Sequence, residues 1–114
     1  MKIGVELRLS LLLALATGVE AQTSARHPHL NGTYKATSYS QTGITASGEW
    51  THRHVVAADP DLLPLGTRIK IRRAGKYSGE YVVADTGAKV QGRRLDIYLP
   101  STPECKKFGV KQVR

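Results

Sequence analysis

From residue 33 onward, the chain consists of short apolar segments separated by turns. The most regular of them is Thr67–Arg72, in which Ile69 and Ile71 fall on one face and basic residues fall on the other. Alternation over about four to eight residues is typical of a half-buried β-strand. The pattern predicts further short strands at Tyr34–Tyr39, Val55–Ala58, Glu80–Ala84, Arg94–Leu99 and Val110–Arg114.

One short helix is predicted near the C-terminus. Ser101 and Glu104 have the spacing of a capping box, Pro103 suits the first turn, and Gly109 is placed to end the helix. A closed barrel is the economical way for so few residues to protect the edges of a sheet. The predicted fold class is therefore all-β, a small six-stranded barrel with one short helix.

The N-terminus has the pattern of a secretory signal peptide. Lys2 and Arg8 flank the start of the chain, the apolar run Leu9–Thr17 follows, and small residues end at Ala21. This run is shorter than the roughly 20 residues that span a bilayer, and a buried N-terminal helix is the alternative. We therefore expect a protein secreted to the periplasm or cell envelope. Its expected segments are a signal peptide at 1–21, a flexible arm at 22–36 and a folded domain at 37–114.

Charge adds information about the partner. The 114 residues include 17 Lys and Arg against 9 Asp and Glu, a formal net charge of +8. Such a surplus indicates an anionic partner, and secretion favours an extracellular polymer such as bacterial cell wall. Nucleic acid is disfavoured, because aromatic residues for base stacking make up only 6% of the chain. We also expect a monomer without stable membrane insertion.

Three aspartates lie beside apolar strands, although aspartate is a poor strand residue. Asp59 follows the predicted strand Val55–Ala58, Asp85 follows Glu80–Ala84, and Asp96 lies inside a strand. Capping a turn is the alternative role for Asp59 and Asp85, since turn residues follow both of them. That alternative is weaker for Asp96, which lies in mid-strand.

The aspartates belong to an ordered series of motifs that closely resembles the 3D domain, a family named for its three aspartates. The motifs are Thr45–Gly48, Val56–Pro60, Leu63–Thr67, Asp85–Gly87, Gly92 and Arg94–Tyr98. The resemblance implies a double-psi β-barrel. The 3D domain is similar to the catalytic barrel of the MltA-type membrane-bound lytic transglycosylases and to stationary-phase muralytic proteins. More distantly, it is similar to rare lipoprotein A and to expansins.

The resemblance implies cleavage of peptidoglycan glycan strands between N-acetylmuramic acid and N-acetylglucosamine, leaving 1,6-anhydromuramic ends. In the family, the residue matching Asp96 is the general acid and base, and those matching Asp85 and Asp59 line the same groove. One carboxyl can make both proton transfers, because the attacking C6 hydroxyl belongs to the substrate. The pKa of this carboxyl must be raised, and we expect burial and the neighbouring carboxylates to raise it.

The remaining expected site residues form a sugar-binding wall, and they are Thr45, Ser47, Gly48, Thr86, Gly87 and Tyr98. After Asp85 the sequence departs from the family, with Ala88 in place of a glycine and Gln91 in place of a lysine. The contacts that the lysine makes in the family are therefore not expected for Gln91 of this chain. The alternative function is a non-catalytic module that binds glycan or loosens the wall, as in expansins.

No cofactor or metal is predicted. His27 and His29, like His52 and His54, have a spacing that puts two rings on one face of a strand, as metal ions favour. The first pair lies in the predicted arm, and the second has basic neighbours in place of further ligands. Cys105 is interpreted as a small, half-buried apolar residue, because no nearby histidine would activate it as a nucleophile.

Overall fold

In a computed structural model, residues 30–114 are described, and Gly32–Arg114 form one compact unit. The predicted signal peptide, most of the predicted arm, and His27 and His29 lie outside the described residues. The elements are β1 (Tyr34–Tyr39), β2 (Val55–Ala58), β3 (Arg68–Ile71), β4 (Gly79–Asp85), β5 (Arg94–Tyr98), α1 (Thr102–Phe108) and β6 (Lys111–Val113). The prediction of an all-β fold with six strands and one short helix is confirmed.

The ordered sheet begins before the predicted domain boundary at residue 37. Strand β1 starts at Tyr34, and the side chains of Tyr34 and Ala36 are buried. The backbone of this segment pairs with β6, opposite Val113 and Lys111. Residues 34–36 are therefore part of the sheet and not part of a flexible arm, because they supply core side chains and ladder hydrogen bonds.

The six strands form one sheet in the order β3-β4-β2-β5-β1-β6. The pairs β1–β5 and β2–β4 are parallel, and the other three are antiparallel. Arg72 follows the edge strand β3, and Arg114 follows the edge strand β6. Two backbone hydrogen bonds join these residues: the Arg72 N–H donates to the Arg114 carbonyl, and the Arg114 N–H donates to the Arg72 carbonyl at 3.0 Å. This contact joins the edges of the curled sheet, and the mixed topology agrees with the expected double-psi barrel.

Alternation along the central strands separates a core face from an outer face. Ala36, Val56, Val83 and Ile97 occupy neighbouring strands and are fully buried on the core face. The outer face of β5 carries Asp96, since successive strand residues point to opposite sides. The barrel wall therefore presents this aspartate away from the core.

The helix begins as the capping box predicts. The Glu104 N–H donates to Ser101 Oγ at 3.3 Å, and Gly109 ends the helix with φ at 64°. The Glu104 carboxylate also accepts two hydrogen bonds from the Arg53 guanidinium, at 2.8 and 3.0 Å. Cys105 is half-buried in this helix. Within residues 30–114, no helix has the length and apolarity needed to cross a membrane.

Candidate functional site

A row of four side chains crosses the outer face of the sheet. Ala57 on β2 pairs with Asp85 on β4 and also with Asp96 on β5, and Asp96 pairs in turn with Thr37 on β1. Because neighbouring strands lie about 4.8 Å apart, the Cα atoms of Asp85 and Asp96 are separated by about 10 Å. Ala57, which is buried, lies between the two aspartates in this row.

An irregularity in the ladder produces this alignment. Val56 pairs with Val83, but Ala57 pairs with Asp85, so β4 contains one extra residue at Ala84. Regular alternation would put Asp85 on the same face as the buried Val83. The bulge instead turns Asp85 to the face of Asp96, which is a common use of bulges near functional sites.

Asp96 has the environment that a proton donor needs. It is half-buried, and the Thr37 hydroxyl donates a hydrogen bond to its Oδ1 at 3.1 Å. Burial raises the pKa of the Asp96 carboxyl, while the Thr37 hydrogen bond and the Arg94 charge lower it. Burial is the largest of these effects. The sequence predicted two causes of a raised pKa, burial and repulsion by neighbouring carboxylates, and burial is the one that acts on Asp96.

Asp85 lies across Ala57 from Asp96 and also holds a loop in place. Its Oδ1 accepts hydrogen bonds from the backbone N–H groups of Ala46 at 3.1 Å and Thr86 at 2.9 Å. The Ser47 N–H donates to the carbonyl of Ala84 at 3.0 Å, next to the same carboxylate. The residue thus has the turn-capping role and a position beside the candidate acid.

The Asp59 carboxylate is bound by backbone amides. Its two oxygens accept from the Asp61 N–H at 2.9 Å and the Gly92 N–H at 2.8 Å. These two hydrogen bonds, with that from Gly92 the stronger, lower the pKa of Asp59. The carboxylate therefore stays ionised and joins the turn after β2 to the loop before β5, as the turn-capping alternative predicts.

The loop Thr45–Gly48 is built around Thr45. This residue is buried, and its hydroxyl donates to the Glu49 carbonyl at 2.8 Å and shares a 2.9 Å hydrogen bond with Ser47 Oγ. Thr45 therefore stabilises the loop from within. Ser47 and Gly48 are exposed and remain available to a ligand.

The other three predicted wall residues differ in position. Thr86 is exposed beside Asp85, and a Cβ at Gly87 would lie 3.0 Å from Val90 Cγ2, so the close turn favours glycine. Tyr98 is 5% exposed, with its ring packed edge-on against Tyr39 at a centroid distance of 5.6 Å. Because the ring is covered, Tyr98 supports the site and presents no free face for stacking on a sugar.

Sequence reasoning missed Tyr39, which lies two residues after Thr37 on the same face of β1. Its hydroxyl oxygen is buried and has no hydrogen-bond partner within residues 30–114. Burial, together with the charges of Asp85 and Asp96, raises the pKa of Tyr39 to about 12. Alternation of Thr37 and Tyr39 on β1 was the available signal, but the pairing of β1 with β5 was needed to interpret it.

Trp50 was also missed. It is the only tryptophan of the chain, it is 65% exposed, and it forms a bridge with Ile44, which is 59% exposed. Both residues belong to the loop that Asp85 anchors through Ala46. A lone tryptophan in a chain with only 6% aromatic residues was a signal that could have been used.

His52 and His54 do not form a strand pair. They lie in a turn before β2, where His54 has a positive φ of 75°. The His52 Nδ1 bonds to the Arg53 carbonyl at 2.7 Å, while the His54 ring packs against Tyr81. Within the described part of the chain, no group of three His, Cys, Asp or Glu residues is arranged to hold a metal ion.

Comparison with known proteins gives a consistent result. A sequence model described as the 3D domain matches residues 54–114. The chain is 30% identical over 104 residues to the cell wall-binding protein YocH of Bacillus subtilis (strain 168), covering 83% of this chain and 35% of YocH. It is 29% identical over 85 residues to the putative cell wall shaping protein YabE of the same organism, covering 71% and 20%. The matches thus span about a third and a fifth of these curated relatives.

Proposed function

The chain belongs to the 3D domain family, and from this membership we propose that it is a lytic transglycosylase that cleaves the glycan strands of peptidoglycan. The half-buried Asp96 with its raised pKa is the observation that carries the proposal. A carboxyl that keeps its proton closer to neutral pH is what protonation of a glycosidic oxygen requires. The names of the two relatives, which refer to the cell wall, support the substrate.

In the proposed reaction, Asp96 first donates its proton to the oxygen between N-acetylmuramic acid and N-acetylglucosamine. The resulting carboxylate is stabilised by the Thr37 hydroxyl and by the charge of Arg94. It then accepts the proton of the muramic C6 hydroxyl, whose oxygen attacks C1 and closes the 1,6-anhydro ring. No water enters the reaction, so one carboxyl is sufficient.

Three further features support action on the cell wall. The net charge of +8 favours retention on an anionic polymer. Trp50 presents an exposed aromatic surface on the loop anchored to Asp85, suited to packing against a sugar ring. A signal peptide at 1–21, which the sequence predicts, would direct the protein to the cell envelope, where the proposed substrate is found.

The proposal is tested with purified peptidoglycan and the variants Asp96→Asn and Asp61→Asn. Asp61 is exposed and serves as the matched control, because it is an aspartate that does not belong to the row of Asp85, Ala57, Asp96 and Thr37. We expect wild type and Asp61→Asn to release muropeptides with 1,6-anhydro ends, identified by mass spectrometry. Asp96→Asn should release none, and anhydro products from a folded Asp96→Asn variant would contradict the assignment.

A second candidate is a non-catalytic glycan-binding module, favoured by the name of the relative YocH. Such a module would sediment with peptidoglycan and leave its chain ends unchanged. The same incubation separates the two functions, because only the enzyme generates new ends. Binding by wild type without any new product would support the module.

A further inference from the structure

Two basic residues lie next to the candidate acid on the outer face of the sheet. Lys35 on β1 is directly paired with Arg94 on β5. Two residues further along the same two strands, Thr37 is paired with Asp96, and the Thr37 hydroxyl donates to the Asp96 carboxylate at 3.1 Å. Strand residues two positions apart are separated by about 6.6 Å and neighbouring strands by about 4.8 Å, so the Cα atoms of both basic residues lie within about 8 Å of that of Asp96.

Both basic side chains point away from the core. Lys35 is exposed and lies between Tyr34 and Ala36, whose side chains are buried. Arg94 is partly exposed and precedes the buried Leu95. Because successive strand residues point to opposite sides, Lys35 and Arg94 share the outer face with Thr37 and Asp96 and are open to a ligand there.

Placing two cations side by side on paired strands is unfavourable, because like charges at directly opposite positions repel each other. The other residue paired with Lys35 is Gln112 on β6, which is uncharged. The charge of Arg94 acts on Asp96, but within residues 30–114 neither Arg94 nor Lys35 forms an ion pair with a carboxylate. An anionic ligand bound between the two cations would relieve this repulsion.

The proposed substrate carries an anionic group in a suitable place. Muramic acid differs from glucosamine by a lactyl group on C3, which ends in a carboxyl. Where a stem peptide is attached, this carboxyl is part of an amide, and the stem carries carboxylates of its own. The scissile bond starts at C1 of the same ring. Arginine offers a carboxylate two parallel N–H donors and lysine a compact positive charge, so a Lys and Arg pair suits such a group.

We propose that Lys35 and Arg94 bind a carboxylate carried on C3 of the muramic residue whose glycosidic oxygen lies at Asp96. The inference rests on the proposed function, since it takes the outer face at Asp96 as the place where glycan is cut. Contact with this carboxylate places the muramic ring, and not the glucosamine ring, over the basic pair. The pair therefore determines specificity, because it selects the bond that starts at the muramic C1.

The test compares Lys35→Gln with Lys70→Gln, each combined with Asp96→Asn so that glycan is bound and not cut. Lys70 is the matched control, an exposed strand lysine that is paired with Glu80 and not with a second cation. The probes are soluble glycan strands freed of stem peptides, and the same strands with their lactyl carboxyls converted to amides. The dissociation constant and the melting temperature are measured at an ionic strength of about 0.15 M, where distant charges are screened.

Lys35→Gln should bind the strands with free carboxylates about threefold to tenfold more weakly than its parent, because one exposed charge-assisted contact is lost. Its affinity for the amidated strands should equal that of the parent. Lys70→Gln should match the parent on both. The melting temperature of Lys35→Gln should stay equal or rise, because the repulsion with Arg94 is removed.

Strands that keep their stem peptides identify the source of the carboxylate. Weaker binding of Lys35→Gln to these strands as well assigns a stem carboxylate, and weaker binding only to the stripped strands assigns the lactyl carboxylate. Parent-like affinity of Lys35→Gln for both kinds of strand would overturn the inference. An equal loss on amidated strands or in Lys70→Gln would also overturn it, and so would a clear loss of stability in Lys35→Gln.

The experiment also separates this inference from the proposed cleavage. Failure of wild type to form anhydro ends would contradict the cleavage, and the binding comparison would still decide the role of Lys35 because it uses protein that does not cut. A parent protein that binds none of the strands would overturn the inference.

Discussion

Thr37→Val removes the hydroxyl that donates to Asp96 and keeps a β-branched side chain on β1. In the wild type this hydrogen bond, at 3.1 Å, lowers the pKa of Asp96 and partly offsets the effect of burial. The variant should therefore have an Asp96 pKa above that of the wild type. Because cleavage needs protonated Asp96, activity is lost as pH rises through this pKa. The alkaline limb of the pH–rate profile should thus move to higher pH.

The rate should change as well, because the Asp96 carboxylate formed during cleavage loses a stabilising donor. A hydrogen bond to a charged group contributes about 1.5–3 kcal/mol, and since Asp96 is only half-buried we take about 1 kcal/mol. This corresponds to a rate about fivefold lower. The assay is the initial rate of anhydromuropeptide release between acidic and alkaline pH.

Thr67→Val is the matched control for this experiment. Its hydroxyl donates to the Pro64 carbonyl at 2.6 Å in an exposed turn, so this hydrogen bond involves none of the side chains of Asp85, Ala57, Asp96 and Thr37. It should keep the wild-type pH profile. An alkaline limb of Thr37→Val that stays in place or moves to lower pH would refute the reasoning about Asp96.

Two predictions concern stability. Because the pKa of Asp96 is raised in the fold, ionisation of this carboxyl destabilises the folded protein as pH rises through that pKa. Asp96→Asn should therefore melt at a higher temperature than wild type at neutral pH, and the difference should disappear near about pH 3. A difference that does not depend on pH would contradict the assignment. The lowered pKa of Asp59 has the opposite sign, so Asp59→Ala should be less stable than wild type at neutral pH, with a difference that shrinks as acid protonates the carboxyl. Folded Asp59→Ala should retain more cleavage activity than Asp96→Asn, and equal losses would give Asp59 a chemical role.

Much of the fold followed from local patterns. Alternation at Ile69 and Ile71 predicted β3, and the capping box at Ser101 predicted the start of α1, because both depend on neighbours in the sequence. The bounds of β1 at Tyr34–Tyr39 were predicted by alternation, but its pairing with β6 at the far end of the chain was not, since no local pattern specifies it. The contact between Arg72 and Arg114 that joins the sheet edges is equally remote in sequence.

The candidate site was predictable in residue identity but less so in geometry. Asp96 stood out as an aspartate inside an apolar strand, and it is indeed half-buried. The bulge at Ala84 that turns Asp85 toward Asp96 leaves no clear mark in the sequence, because it depends on the register with β2. The missing hydrogen-bond partner of the Tyr39 hydroxyl could not be predicted either, because it depends on the three-dimensional positions of all neighbouring polar groups.

The source of the oxygen at the newly formed chain ends tests the central claim most directly. Peptidoglycan is cleaved in oxygen-18-labelled water, and the products are weighed by mass spectrometry. If the Asp96 carboxyl makes both proton transfers, the products should be anhydromuropeptides, one water lighter than hydrolysis products, with no oxygen-18 at the muramic C1. Muropeptides carrying oxygen-18 at a reducing muramic end would contradict the account, because water and not the C6 hydroxyl would then be the nucleophile.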